Sequence, residues 1–422
     1  MYCSIGASGI YSRQVDQAKD GIAAVQTKYA IILPDGAADE PLEQFGGKTP
    51  LEAARIPNID SIVEEGRIGT VRTVPESFAP GSDVATMSLL GYDVREFYSG
   101  RAPIEAVARK LPLQPDDIIF RCNLVNVTNG DMSDFTAGHI RSAEAAQIIE
   151  SLNAAMDDLG VRFYPGVSYR NLMVIRDETA MTAQCAAPHD IPNEPIADYW
   201  PSGRGGRLIR EIMDRARPIV AGHDVNKVRA DLGEVPATDI WLWGQGMVPI
   251  LPRFKQRFGV RGAVIAAVDL IRGLGRLVGW SVIDVPGATG YIDTDYVAKG
   301  RYAVEALDAY DLVAVHIEAP DEAGHMGDAA AKLEALERID EHIVGPVLEK
   351  LRSFERWRIL IAPDHPTPVA HRTHTDVPPP FCMAGTDVPA GILKRAFSER
   401  AALESDFHVA LGHELMDHFL RR

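Results

Sequence analysis

Six side chains of metal-binding type follow short apolar runs in this sequence. Residues 29–33 lead into Asp35, residues 312–317 into Asp321-Glu-Ala-Gly-His325, and residues 359–362 into Asp364-His365, with His374 further on. Mixed oxygen and imidazole donors suit Mn²⁺, Zn²⁺, Co²⁺ or Mg²⁺. Asp321 and His325 stand four apart, so one helical turn puts both on one face. Six ligands exceed a single tetrahedral site, whereas two ions about 4 Å apart would use them all, as in metal-assisted phosphoryl transfer. Any one of these Asp residues also fits a helix N-cap. Their recurrence after three separate runs favours a site.

A candidate nucleophile lies in Ala79-Pro-Gly-Ser-Asp-Val-Ala-Thr-Met-Ser-Leu-Leu-Gly-Tyr92. Pro80-Gly81 makes a turn and residues 84–90 suit a helix, so Ser82 falls at a helix N-terminus, where partial positive charge favours an alkoxide and a bound phosphoryl group. The competing reading is that Ser82 is only the N-cap.

The elements that must hold these groups follow from periodicity. Runs at 29–33, 262–268, 281–285, 312–317 and 359–362 read as buried strands. Thr49-Pro-Leu-Glu52 is a capping box, residues 57–65 form a short helix stopped by Gly66, and residues 329–344 form another. Strand–helix alternation predicts an α/β fold, a doubly wound, mostly parallel sheet with helices on both faces. In such sheets ligands collect at the carboxyl ends of strands, where the Asp and His residues fall. The middle of the chain differs. A helix over 142–159 is flanked by irregular stretches rich in His, Arg and Pro. The predicted organisation is therefore an extension at 1–28, one domain made of 29–105 and 258–422, and a smaller inserted α/β domain at 106–257.

Composition narrows the function. Of 422 residues, 43 are Lys or Arg and 59 Asp or Glu, a net charge of −16. An acidic surface disfavours nucleic acid and anionic lipid, and no apolar run reaches the ~20 residues that span a bilayer. Four scattered cysteines are neither a disulfide scaffold nor a zinc motif, so a cytoplasmic protein is expected. Residues 1–28 lack the apolar core of a signal peptide. Two nucleotide-binding patterns fail: Leu42 replaces the first glycine before Gly47-Lys-Thr49, and Val278 replaces the third glycine after Gly273-Leu-Gly275.

Together, Asp35, Gly81-Ser-Asp83, Asp321-x-x-x-His325, Asp364-His365 and His374 resemble the alkaline phosphatase superfamily, and most closely the archaeal-type cofactor-independent phosphoglycerate mutases. Gly47-Lys-Thr-Pro-Leu-Glu-Ala-Ala54, Gly100-Arg-Ala-Pro103, Ile240-Trp-Leu-Trp-Gly-Gln-Gly246 and Val285-Pro-Gly-Ala-Thr-Gly290 carry the same likeness. The resemblance implies two divalent ions, one held by Asp321, His325 and His374, the other by Asp35, Asp364, His365 and Ser82. It implies phosphorylation of Ser82 during interconversion of 3-phosphoglycerate and 2-phosphoglycerate. It also implies substrate contacts from the inserted domain, with Arg121, His139, Arg141, Arg170 and His189 as candidates. Thr86 and Asp134-Phe-Thr-Ala-Gly-His-Ile140 depart from the family's commoner residues. Both resemble a sister group proposed to phosphorylate homoserine, which makes a phosphotransferase acting on an amino-acid hydroxyl the alternative.

Overall fold

The computed structural model describes residues 26–391 and 395–421. The predicted extension at 1–28 lies outside the described residues except at its end, where Lys28 already opens the first strand, Lys28–Pro34. An eight-stranded sheet runs in the order Ser281–Ile283, Gly262–Ile265, Leu312–Ile317, Lys28–Pro34, Trp357–Ile361, Pro380–Gly385, Arg67–Val71, His408–Val409. All neighbours are parallel except around Pro380–Gly385, which is antiparallel to both its partners. The sheet is thus mostly parallel, as the alternation predicts.

Lys28–Pro34 buries every residue after its first, so neither face meets water and the strand takes the sheet interior. Successive residues serve opposite layers. Ile31 and Leu33 pack with Val264 and Leu274, while Ala30 and Ile32 pack with Val315 and Ile339. Register then brings the three predicted strand ends together, with Leu33 opposite His316 and Ile32 opposite Ile361.

Local signals translate directly. Thr49 and Glu52 form the reciprocal capping box, and the second helix spans Pro57–Glu65. The predicted helix over 329–344 is Ala329–Ile339, continued through a π turn at Asp340–Val344 into Gly345–Arg352.

Residues 118–246 build a second, five-stranded sheet in which every pairing is antiparallel. Its central strand, Ile118–Thr128, pairs with Asp239–Gly246 on one side and Arg170–Ile175 on the other. Helix Gly206–Ala221 supplies Ile209, Ile212, Met213, Ala216 and Val220 to the core on one face. On the other face, Ala102 and Ala106 of helix Arg101–Ala108 pack against Ile119, Leu172 and Val174. The chain crosses between the two sheets twice, and glycine makes the crossing tight. Gly100, at φ +139, and Gly246 lie where an added Cβ would sit 2.2 Å from the carbonyl oxygens of Gln245 and Ser99 respectively.

Candidate active site

Asp35 leaves the first strand fully buried, and Gly36 turns the chain at φ +62, a left-handed conformation that favours glycine. A Cβ on Gly36 would lie 2.6 Å from both Asp321 Oδ1 and Thr367 Oγ1. Three separate segments of the chain therefore converge on this one residue.

Asp321 sits in helix Ala319–Met326 with His325 one turn later. His325 Nε2 lies 3.2 Å from Asp321 Oδ2, His374 Nε2 lies 3.4 Å from Asp321 Oδ1, and the two Nε2 atoms are 2.9 Å apart. The opposite ring nitrogens are anchored, His325 Nδ1 to the Arg372 carbonyl at 3.0 Å and His374 Nδ1 to the Pro80 carbonyl at 3.3 Å. Donation from Nδ1 to a carbonyl turns the Nε2 lone pair toward a shared point, the outer-shell pattern of ligating histidines. Burial raises the Asp321 carboxyl, yet hydrogen bonds from His325 and His374 outweigh it and hold it well below the usual carboxylate range. Burial lowers His325, but the bond to Asp321 prevails and lifts it to about 9.

Ser82 opens the fully buried helix Ser82–Leu89, and the N-cap is Gly81. This decides against the capping reading of Ser82. Its hydroxyl instead lies 3.2 Å from Asp35 Oδ2 and 3.1 Å from His365 Nε2. Thr86, one turn further on, is buried, and among the described residues its hydroxyl has no partner. Asp364 Oδ1 accepts from the backbone N–H groups of Gly36 at 3.2 Å and His365 at 2.9 Å. Among the described residues, Asp364 Oδ2 and Asp35 Oδ1 are buried without any hydrogen-bond partner. Orphaned carboxylate oxygens are costly, and here the cost falls on two adjacent buried acids. Burial, then the charge of Asp364, push Asp35 well above its ordinary value. Such a pair fits a divalent cation, which would complete both oxygens.

Among the described residues, three groups of donor atoms are close enough to share an ion: Asp321, His325 and His374; Asp35, Asp321 and His365; and Asp35, His316 and Glu318. Sequence reasoning missed His316 and Glu318. His316 Nε2 lies 2.9 Å from Asp35 Oδ2, and Lys299 Nζ donates to the His316 carbonyl at 3.3 Å. A lone histidine inside the buried run Leu312–Ile317 was the available signal.

From the second sheet, Arg121 is buried with its guanidinium 4.5 Å from the centre of the Trp243 ring. His189 stacks edge-on against Trp243 at 5.0 Å. Burial lowers it to about 4, and the charge of Asp190 opposes the fall while those of Arg121, Arg101 and His374 add to it. Arg170 donates to the Tyr169 hydroxyl at 3.1 Å and lies within electrostatic range of Glu322. His139, at φ +50, faces Tyr169 with ring centres 6.3 Å apart. Arg141 is placed differently. It is exposed, bonded to Glu144 and Glu234, and belongs to the cap of helix Ser142–Ala155. Arg101, absent from the predicted set, shares the carboxylate of Glu105 with Arg121, at 3.2 and 3.3 Å.

The profile of the 2,3-bisphosphoglycerate-independent phosphoglycerate mutase family matches residues 64–226. A protein of that name from Methanothrix thermoacetophila is 51% identical over 92% of this chain and 98% of its own length. The chain belongs to this phosphoglycerate mutase family. The Methanosarcina mazei mutase is 46% identical over the same shares of the two chains. The solved structure of the PH0037 protein from Pyrococcus horikoshii superposes with a TM-score of 0.78 at 28% identity, covering 94% of this chain and 97% of that one. The cofactor-independent phosphoglycerate mutase of Thermoplasma acidophilum shares the fold, with a TM-score of 0.61 at 24% identity over 94% and 99% of the two chains. Family membership makes the chain an enzyme of the isomerase class, and the likeness runs over nearly the whole chain rather than the nucleophile segment alone.

Proposed function

We propose that this mutase interconverts 3-phosphoglycerate and 2-phosphoglycerate through a phosphoserine at Ser82, with divalent ions held by the two clusters. The observation that carries the reading is the Ser82 hydroxyl at the first turn of a buried helix, 3.1–3.2 Å from His365 and Asp35, beside two carboxylate oxygens that have no partner. Asp321, His325 and His374 would hold one ion; Asp35, Asp364, His365 and Ser82 the other. Bound there, Mn²⁺, Mg²⁺, Co²⁺ or Zn²⁺ would lower the pKa of the seryl hydroxyl and neutralise phosphoryl charge.

Ser82 Oγ attacks phosphorus, the bond to the glycerate oxygen breaks, and the departing oxygen takes up a proton. The free N–H groups of the first helical turn receive the phosphoryl oxygens. Glycerate turns and its other hydroxyl takes the phosphoryl group back, restoring Ser82. Residues 29–105 with 258–422 act as the phosphoryl-transfer domain, and 106–257 as the part that brings Arg121, Arg170, His139 and His189 over the substrate. Arg141 takes no part in this reading, since two carboxylates already occupy it. The protein works on a small phosphorylated substrate in the cytoplasm, and among the described residues no helix is long and apolar enough to cross a membrane.

A coupled assay tests the reading. Mutase activity with 3-phosphoglycerate should vanish after exhaustive chelation and return with Mn²⁺, Co²⁺ or Mg²⁺. Full activity without metal would sink the metal assignment, and turnover of homoserine with ATP but not of 3-phosphoglycerate would sink the mutase assignment.

A further inference from the structure

We propose that His316 is a positioning residue for the cluster beside Ser82: its Nε2 holds one oxygen of Asp35 and so leaves the other to a cation. The inference rests on the metal reading above and adds to it a residue outside both ligand sets. His316 is 1% exposed and Asp35 is fully buried. Every other member of the strand Leu312–Ile317 is apolar. A polar ring placed in such a strand is costly unless it is hydrogen-bonded. Among the described residues the His316 side chain has one hydrogen-bond partner, Asp35 Oδ2, at 2.9 Å.

That bond divides the work of the two Asp35 oxygens. An ionised carboxylate only accepts, so the shared proton lies on Nε2. Oδ2 takes this N–H together with the Ser82 hydroxyl at 3.2 Å, whereas Oδ1 has no hydrogen-bond partner among the described residues. Oδ1 lies 3.5 Å from His365 Nε2, and Asp364 Oδ2, equally without a partner, lies 3.5 Å from the same nitrogen. Oδ1, Asp364 Oδ2 and His365 Nε2 are thereby left together for a cation, while His316 occupies the remaining oxygen. Partners of this kind fix the orientation of a ligand, and their loss costs about ten- to hundredfold in metal affinity.

The ring is itself held in place. Pairing sets Leu33 opposite His316, and the Asp35 N–H donates to the Ile317 carbonyl at 3.0 Å, so the two residues belong to one hydrogen-bonded ladder. Lys299, also 1% exposed, donates to the His316 carbonyl at 3.3 Å. Asp35, His316 and Glu318 lie close enough to share an ion of their own, yet two observations favour the positioning role. Nε2 is already committed to Asp35. The Lys299 ammonium lies within electrostatic range of Glu318, where it supplies the positive charge that an ion would otherwise bring.

Mn²⁺ binding to the metal-stripped full chain tests the proposal, read by calorimetry so that no turnover is needed. His325→Ala, which removes a ligand of the other cluster, identifies the binding event that belongs to the Ser82 side. His316→Leu should weaken that event by about tenfold or more and change the other by less than about twofold. His316→Gln, whose amide N–H stands in for Nε2, should restore the affinity to within about threefold of the unmodified chain, and the shorter His316→Asn should not. The Gln and Asn pair carries the test if His316→Leu fails to fold. Unchanged affinity in His316→Leu, equal weakening of both events, or no difference between Gln and Asn overturns the proposal. A third Mn²⁺ per chain that disappears in His316→Leu also overturns it, because His316 is then a ligand. Failure of the unmodified chain to bind Mn²⁺ overturns the metal reading itself and is seen before any His316 variant is made.

Discussion

Ser82 separates structural from chemical roles because Gly81, not Ser82, caps its helix. A lost N-cap costs about 1 kcal/mol. Ser82→Ala removes no capping bond and should shift the melting temperature little while abolishing transfer. Rapid quench during turnover should place phosphate on the Ser82 peptide of the unmodified enzyme. Substantial mutase activity in Ser82→Ala would defeat the assignment. His325 carries a second residue-scale prediction. The bond to Asp321 lifts its pKa to about 9, above the ordinary value near 6.5. The stabilisation it draws from Asp321 is therefore complete below the ordinary value and lost as pH rises through the raised one. A cation at Nε2 must displace that proton, so metal affinity should climb with pH up to about 9. Titrating Mn²⁺ in buffers of different ionisation enthalpy should show about one proton released per ion at that cluster near neutrality. Absence of proton release would remove His325 from the ligand set.

At the scale of elements, a buried lysine holds the loops together. Lys332 Nζ donates to the Ala38 carbonyl at 3.2 Å, to Asp39 Oδ2 at 2.7 Å and to the Thr367 carbonyl at 2.9 Å. It thereby ties the loop after Lys28–Pro34 to the loop after Trp357–Ile361. Lys332→Met would leave Asp39 buried without its cation, and breaking such a pair costs about 3–5 kcal/mol. Urea unfolding should show that loss; a change under about 1 kcal/mol would mean that the pair contributes little. Nothing local marks this lysine, since in the predicted helix over 329–344 it reads as one more surface charge. The capping box at Thr49 and the stop at Gly66 were legible because their partners lie within a few residues. The strands Arg67–Val71 and Pro380–Gly385 were not, because glycine, arginine and proline weaken their pattern and pairing across the sheet supplies what propensity lacks.

At the scale of the molecule, the proposed reaction needs the two sheets to present complementary chemistry to one another, acids, imidazoles and a serine from the mostly parallel sheet and Arg121, Arg170 and His189 from the second. Transfer through a phosphoserine requires that glycerate stay between them and that water stay out. Labelled glycerate added during turnover should therefore not enter the phosphoglycerate pool. Incorporation at a rate comparable to turnover would mean that the intermediate opens to solvent.

The sequence alone determined the apolar runs that lead into Asp35, Asp321, Asp364 and His365, and the Pro80-Gly81 turn ahead of the helix that begins at Ser82. These are short-range facts, set by apolar runs, turn residues and four-residue spacing. Only the tertiary structure decided that His316 backs Asp35 and that Arg121 meets the carboxylate of Glu105. Each of those pairings depends on strand order or on the path of the chain between sheets. Register places partners side by side that stand far apart in sequence, and no local pattern records it.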